Sequence, residues 1–136
     1  MLNPDFKEVI STFNGAAVEY LIFGAYAVAA HGLPRATGDI DFWVRPTRAN
    51  AQRVWTALAK FGAPMERVAV DDFAARDMIV QFGVVPNRID VITSVEGLTF
   101  EEAWSERLVV TMDGVDGEFG LLEASARICR MRSPNV

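Results

Sequence analysis

The sequence predicts an α/β or α+β fold, with flanking helices laid on a mixed sheet of about four or five strands. Three observations lead there. Short runs rich in β-branched and aromatic residues, such as VEYLIF, DMIVQF and RIDVIT, have strand character. Between them lie segments whose apolar residues recur at helical spacing. Gly15, Gly24, Gly62 and Gly114 stand where one pattern gives way to the next.

The elements follow in order. Residues 4–13 carry Phe6, Val9, Ile10 and Phe13 on one helical face, stopped by Asn14-Gly15. Residues 18–23 are an apolar run ended by Gly24, hence a strand. The Ala-rich stretch 25–32 is expected to be a short buried helix, and LPRATG after it a loop. Residues 39–45 form a second strand. Residues 48–61 give the clearest amphipathic helix, with Val54, Leu58 and Phe61 on one side and Gly62 as its stop. Residues 64–76 show no decisive period. Two strands are expected at 77–82 and 88–93, joined by the turn-like GVVPN. A helix over 98–107, a strand over 108–112 closed by Asp113-Gly114, and a last helix over 121–131 complete the chain.

At 136 residues, 51% hydrophobic and 23% charged, the chain is long enough to bury one core and is expected to be a single domain over 1–136. Cys129 is the only cysteine, so no internal disulfide can form, and no run reaches the eighteen or so apolar residues of a membrane span. The opening MLNPDFKEVI has no basic region followed by an apolar stretch, so a cytoplasmic location is expected. The net charge of −5 argues against a general nucleic-acid binder. It is unevenly spread: residues 96–123 hold eight acids against Arg107 alone, and the remainder sums to +2. A basic surface around a small acidic pocket would suit a metal-bound polyphosphate; a solvated acidic face is the plainer alternative.

GDIDFWV, residues 38–44, sets two carboxylates one residue apart in a run that is otherwise apolar. Alternate residues of a strand share a face, so Asp39 and Asp41 project together while Ile40, Phe42 and Val44 turn to the core. Paired carboxylates repel unless a cation joins them, and Mg²⁺ prefers such hard oxygen ligands and shares them with substrate phosphates. Asp90 interrupts RIDVIT in the same way. If the two strands are neighbours, three carboxylates converge. Taken singly, an Asp-x-Asp is a common chance pattern and a lone strand Asp is often an edge residue. His31 reads as packing or capping, Cys129 as inert, Trp43, Trp55 and Trp104 as core or rim packing, and Arg53 and Lys60 as a solvated helix face.

The order of the whole set, strand, Gly24-Ala25, helix, loop, Asp-x-Asp strand, long helix and a strand pair bearing a third Asp, resembles the nucleotidyltransferase superfamily that includes DNA polymerase β. FGAYAVAAHGLPRATGDIDFWV resembles most the minimal bacterial nucleotidyltransferase-like proteins related to AbiEii-type toxins, and RIDVITSV with its following acidic helix and hairpin fits that pattern too. The resemblance spans roughly residues 17–115. It implies that Asp39, Asp41 and Asp90 bind Mg²⁺, one ion or two, with Asp90 as ligand and general base. It also implies that Gly24 and Ala25 present backbone N–H groups to a triphosphate, and that Arg35 and Thr37 contact phosphates. Ala25 stands where the family often has Gly or Ser. The C-terminal end is shorter than the family pattern, with Arg127, Arg130 and Arg132 in place of part of a basic helix.

The implied activity is transfer of a nucleoside monophosphate from an NTP to a hydroxyl of RNA, tRNA included, of a protein or of a small molecule. The alternative is a catalytically inactive binding module or toxin–antitoxin partner of the same fold. A glycosyltransferase using Asp-x-Asp is disfavoured, because so short a chain leaves little room for separate donor and acceptor domains. No membrane partner is expected, and a homo-oligomer is left open.

Overall fold

The computed structural model describes residues 3–23, 38–84 and 86–120. Helix α1, Pro4–Gly15, starts on Asn3, whose side chain accepts from the Asp5 N–H at 2.8 Å, with Pro4 in the first turn where no intrahelical donor is needed. Its buried stripe is Phe6, Val9, Ile10 and Phe13, the face the spacing predicts. Strand β1, Tyr20–Phe23, starts two residues later than expected. Val18 donates instead to Phe13 O at 3.0 Å, closing the end of α1, and Glu19 exchanges bonds with the buried side chain of Asn50.

Strand β2, Asp39–Val44, leads into α2, Arg48–Phe61, capped by Thr47 and terminated by Gly62. Residues 64–76 contribute a single 3₁₀ turn, Val70–Phe73. Strand β3, Ile79–Phe82, is shorter than its apolar run, because the N–H groups of Asp77 and Met78 go to the hydroxyls of Ser94 and Thr93. Strand β4, Arg88–Ile92, follows. Helix α3, Phe100–Ser105, is also shorter than expected: the Thr99–Glu102 capping box fixes its start, and Leu98 is held in a bridge to Val95. Strands β5, Leu108–Met112, and β6, Val115–Phe119, form a hairpin across Asp113-Gly114. Both turn residues have positive φ, 51° and 80°, as a two-residue hairpin turn matching the strand twist requires.

The sheet has six strands, in the order β3-β4-β2-β1-β6-β5, against the four or five expected. The extra strand, VDGEF, is poor in β-formers. It is a strand because its alternation works: Val115 and Phe119 pack on the main core, Gly117 lies against Ile22 and Phe119, and Asp116 and Glu118 face the other way. Strand β6 runs parallel to β1, with Ile22 opposite Phe119. Gly120 then approaches Phe23 so closely that a Cβ would stand 1.9 Å from its ring.

The two faces of the sheet differ. One carries the main core, in which α1 and α2 bury Tyr20, Ile22, Ile40, Phe42, Val44, Ile89 and Val91. The other carries a smaller apolar cluster of Leu21, Phe23, Trp43, Ile92, Val95, Phe100 and Ala103, covered by α3. Trp43 and Trp104 pack in or against this second cluster, and Trp55 packs on the first, its indole donating to Val68 O at 2.7 Å. Arg53 and Lys60 are exposed. The expected helices at 25–32 and 121–131, with His31, Cys129, Arg127, Arg130 and Arg132, lie outside the described residues. Among the described residues, no helix is long and apolar enough to cross a membrane.

Candidate metal and nucleotide site

Strands β2 and β4 are neighbours and parallel, with Asp39 opposite Arg88, Asp41 opposite Asp90 and Trp43 opposite Ile92. Because side chains alternate, these six residues share the face that carries the smaller cluster. That face is divided along its length. Trp43, Ile92, Leu21 and Phe23 make an apolar half under α3, while Asp39, Asp41, Asp90 and Arg88 lie in the N-terminal halves of β2 and β4.

Aromatic contacts hold α3 on the apolar half. Phe100 meets Trp43 edge-on at 5.3 Å and stacks with Trp104, and the Arg45 guanidinium lies 4.8 Å from the Phe100 ring centre. Arg45 also pairs with Glu19 and with Glu101 on α3. This clamp anchors the helix beside the acids.

One carboxylate oxygen from each of Asp39, Asp41 and Asp90 lies within 4.8 Å of the others. Asp41 is 6% exposed and Asp90 fully buried. Asp39 keeps 26% of its side chain exposed, which leaves the group open to solvent on that side. Three anionic oxygens so placed and so dry need positive charge. Arg88 supplies some of it. Its Nη2 donates to Asp39 Oδ2 at 3.0 Å, and its Nε lies 3.3 Å from Asp90 Oδ2. As a donor set, three convergent carboxylates fit a hard divalent cation that keeps some of its waters; no softer ligand is present in the group.

The convergence of Asp39, Asp41 and Asp90 is what strand parity predicts once β4 lies beside β2. Arg88 is the residue that sequence reasoning missed. The same alternation would have found it, since it stands two positions before Asp90. Exposed Gln81, opposite Asp90 on β3, likewise borders the group. Gly24, Ala25, Arg35 and Thr37 lie outside the described residues. The described residues that flank them are at the site: Phe23 is opposite Asp41, and Gly38 O accepts from the Arg88 N–H at 3.2 Å.

The mixed six-stranded α+β sheet is similar to nucleotidyltransferase folds among solved structures. The chain is similar to a candidate nucleotidyltransferase from Thermotoga maritima, with a TM-score of 0.66 at 12% identity over 98% of this chain and 88% of that one. It is also similar to the aminoglycoside nucleotidyltransferase ANT(2″)-Ia in complex with adenylyl-2″-tobramycin, with a TM-score of 0.60 at 12% identity over 96% of this chain and 75% of that one. No family model matches the sequence, and no curated protein does.

Proposed function

We propose that this chain is a Mg²⁺-dependent nucleotidyltransferase, moving a nucleoside monophosphate from an NTP to an acceptor hydroxyl. The observation that carries the reading is the meeting of Asp39, Asp41 and Asp90 within 4.8 Å on a nucleotidyltransferase-like sheet. Asp39 and Asp41 would hold the metal, and Asp90, fully buried, would serve as ligand and as proton acceptor. Mg²⁺ bound there, as one ion or two, would neutralise phosphate charge and acidify the acceptor hydroxyl.

The acceptor oxygen attacks the α-phosphorus, the bond to the α–β bridging oxygen breaks, and pyrophosphate leaves with that electron pair. The hydroxyl proton passes to the Asp90 carboxylate. Gly24 and Ala25 offer backbone donors to the triphosphate, and Arg35 and Thr37 bind its phosphates, a placement supported by the position of their flanking residues Phe23 and Gly38 beside the acids. The acceptor belongs to RNA, tRNA included, to a protein or to a small molecule; the adenylylated tobramycin of ANT(2″)-Ia is an instance of the last.

A second reading, a binding module or toxin–antitoxin partner without catalysis, is favoured by Arg88, which already supplies a cation to Asp39 and Asp90. Incubation with Mg²⁺ and each α-labelled NTP, alone and with total RNA, separates the two. The enzyme reading expects label on an acceptor and its loss in Asp41→Asn. Absence of transfer together with absence of Mg²⁺-dependent NTP binding would sink it.

A further inference from the structure

Among the described residues, Arg88 pairs with two of the three carboxylates that could hold a metal. Its fork reaches two different carboxylates, Asp39 Oδ2 at 3.0 Å and Asp90 Oδ2 at 3.3 Å. A lysine could not bridge them with the same geometry, because the ammonium is a point donor and the guanidinium a planar fork. The Nη2–H donated to Asp39 Oδ2 occupies a lone-pair direction that a cation would also use, while Nε pairs with Asp90 by charge without a hydrogen bond. A divalent ion at ordinary Mg–O distances of about 2.1 Å from those oxygens would also lie within roughly 5 Å of the guanidinium, where like charges in a half-dry site repel strongly.

The side chain has somewhere to go. It is 31% exposed, and it belongs to the first residue of β4. Asp90, by contrast, is fully buried and fixed in mid-strand, so the arginine is the movable member of the pair.

We propose that Arg88 is an internal counter-cation of the Asp39–Asp41–Asp90 group that competes with divalent metal, so that metal binds by displacing its guanidinium from the carboxylates. The proposal rests on the nucleotidyltransferase reading, which places a metal there. It also removes the apparent conflict between that reading and an arginine already seated among the acids. In the metal-free protein Arg88 offsets the repulsion of the three anions; when metal arrives, the metal takes over that task and the guanidinium swings toward solvent. Arg88 thereby sets the threshold concentration at which the site fills.

The test compares Mn²⁺ binding by the full chain and by Arg88→Gln, using calorimetry and the electron paramagnetic resonance of free Mn²⁺, without nucleotide and without any activity assay. Arg88→Gln is expected to bind at least about tenfold more tightly, since one positive charge next to the ion is removed. Arg88→Lys, which keeps the charge but loses the fork, should fall between. Equal or weaker binding by Arg88→Gln would overturn the proposal and make Arg88 an orienting partner that stays in place. Mn²⁺ binding by neither protein would instead remove the metal site, and the nucleotidyltransferase reading with it. Should the variant fail to fold, the wild type decides: the Arg88 Nε–H resonance is expected to shift and exchange faster with water at saturating Mg²⁺, and an unchanged resonance refutes displacement.

Discussion

Replacing Asp41 by Asn should make the metal-free protein more stable and at the same time abolish its stabilisation by Mg²⁺ and NTP. Asp41 is the informative member of the three, because it is nearly buried and lies directly opposite Asp90 on the neighbouring strand. With ligand oxygens no more than 4.8 Å apart, each pair of carboxylate charges repels by about 3.5 kcal/mol at an effective dielectric of about 20. Arg88, the other contacts of the three aspartates and the solvent at partly exposed Asp39 offset most of the sum over two neighbours, so a net gain of about 1–2 kcal/mol is expected from removing the charge. For a chain of this size that raises the melting temperature by roughly 3–8 °C. The amide keeps the size of the side chain and one acceptor oxygen, so packing changes little. Thermal melts of both proteins in chelator, then with Mg²⁺ and NTP, give the answer. A structural aspartate behaves the opposite way, losing about 1–2 kcal/mol on conversion to Asn with no ligand dependence. A destabilised Asp41→Asn that still gains stability from Mg²⁺ and NTP would therefore refute the metal-site assignment.

Asn50→Ala should cost about 2–4 kcal/mol in urea unfolding, because Asn50 is fully buried and its amide binds the Glu19 N–H, Glu19 O and Arg45 O, all left without that partner; a loss under 0.5 kcal/mol would contradict this. Burial pushes the Tyr20 hydroxyl well above its ordinary value near 10. The unfolded chain then releases this proton first, so the Tyr20 contribution should be constant below about pH 10 and stability should fall as pH rises beyond it, with a shallower fall in Tyr20→Phe; identical slopes would show that Tyr20 is not responsible. Gly120→Ala should destabilise by about 1–3 kcal/mol, since the new methyl overlaps the Phe23 ring, and should shift the Phe23 aromatic resonances; an unchanged melting temperature and spectrum would mean that the close approach does not exist.

Much of this fold was legible because local pattern and burial agree. The stripe of α1, the glycine stop of α2 and the acid-interrupted strands β2 and β4 all follow from spacing. What escaped is decided by partners distant in sequence. VDGEF has a strand's alternation but poor β propensity, and it becomes β6 through its hairpin with β5 and its parallel contact with Ile22. Val18 and Glu19 read as strand, yet their backbone groups are claimed by the end of α1 and by Asn50 from α2. Arg88 escaped for another reason: an arginine at a strand end is usually a solvated residue, and only the adjacency of β4 to β2 turns it toward Asp39.

That adjacency is itself a consequence of topology. Two parallel strands need a crossover, and the long connection from β2 to β4 contains α2. The apolar stripe of α2, with Val54 and Leu58, can be buried only against an apolar sheet face, and Ile40, Phe42, Val44, Ile89 and Val91 provide one. Placing α2 there leaves the opposite face, with Asp39, Asp41 and Asp90, free of the crossover. On that face α3 is only six residues long and is anchored by Phe100 on Trp43, so it covers the apolar half. Among the described residues, the acids thus meet on the face opposite α2, because the hydrophobic residues alternating with them have committed that crossover helix to the other side. A polar substitution at Phe42 or Val91 should therefore disturb the carboxylate group through the packing of α2, even though neither side chain points toward it.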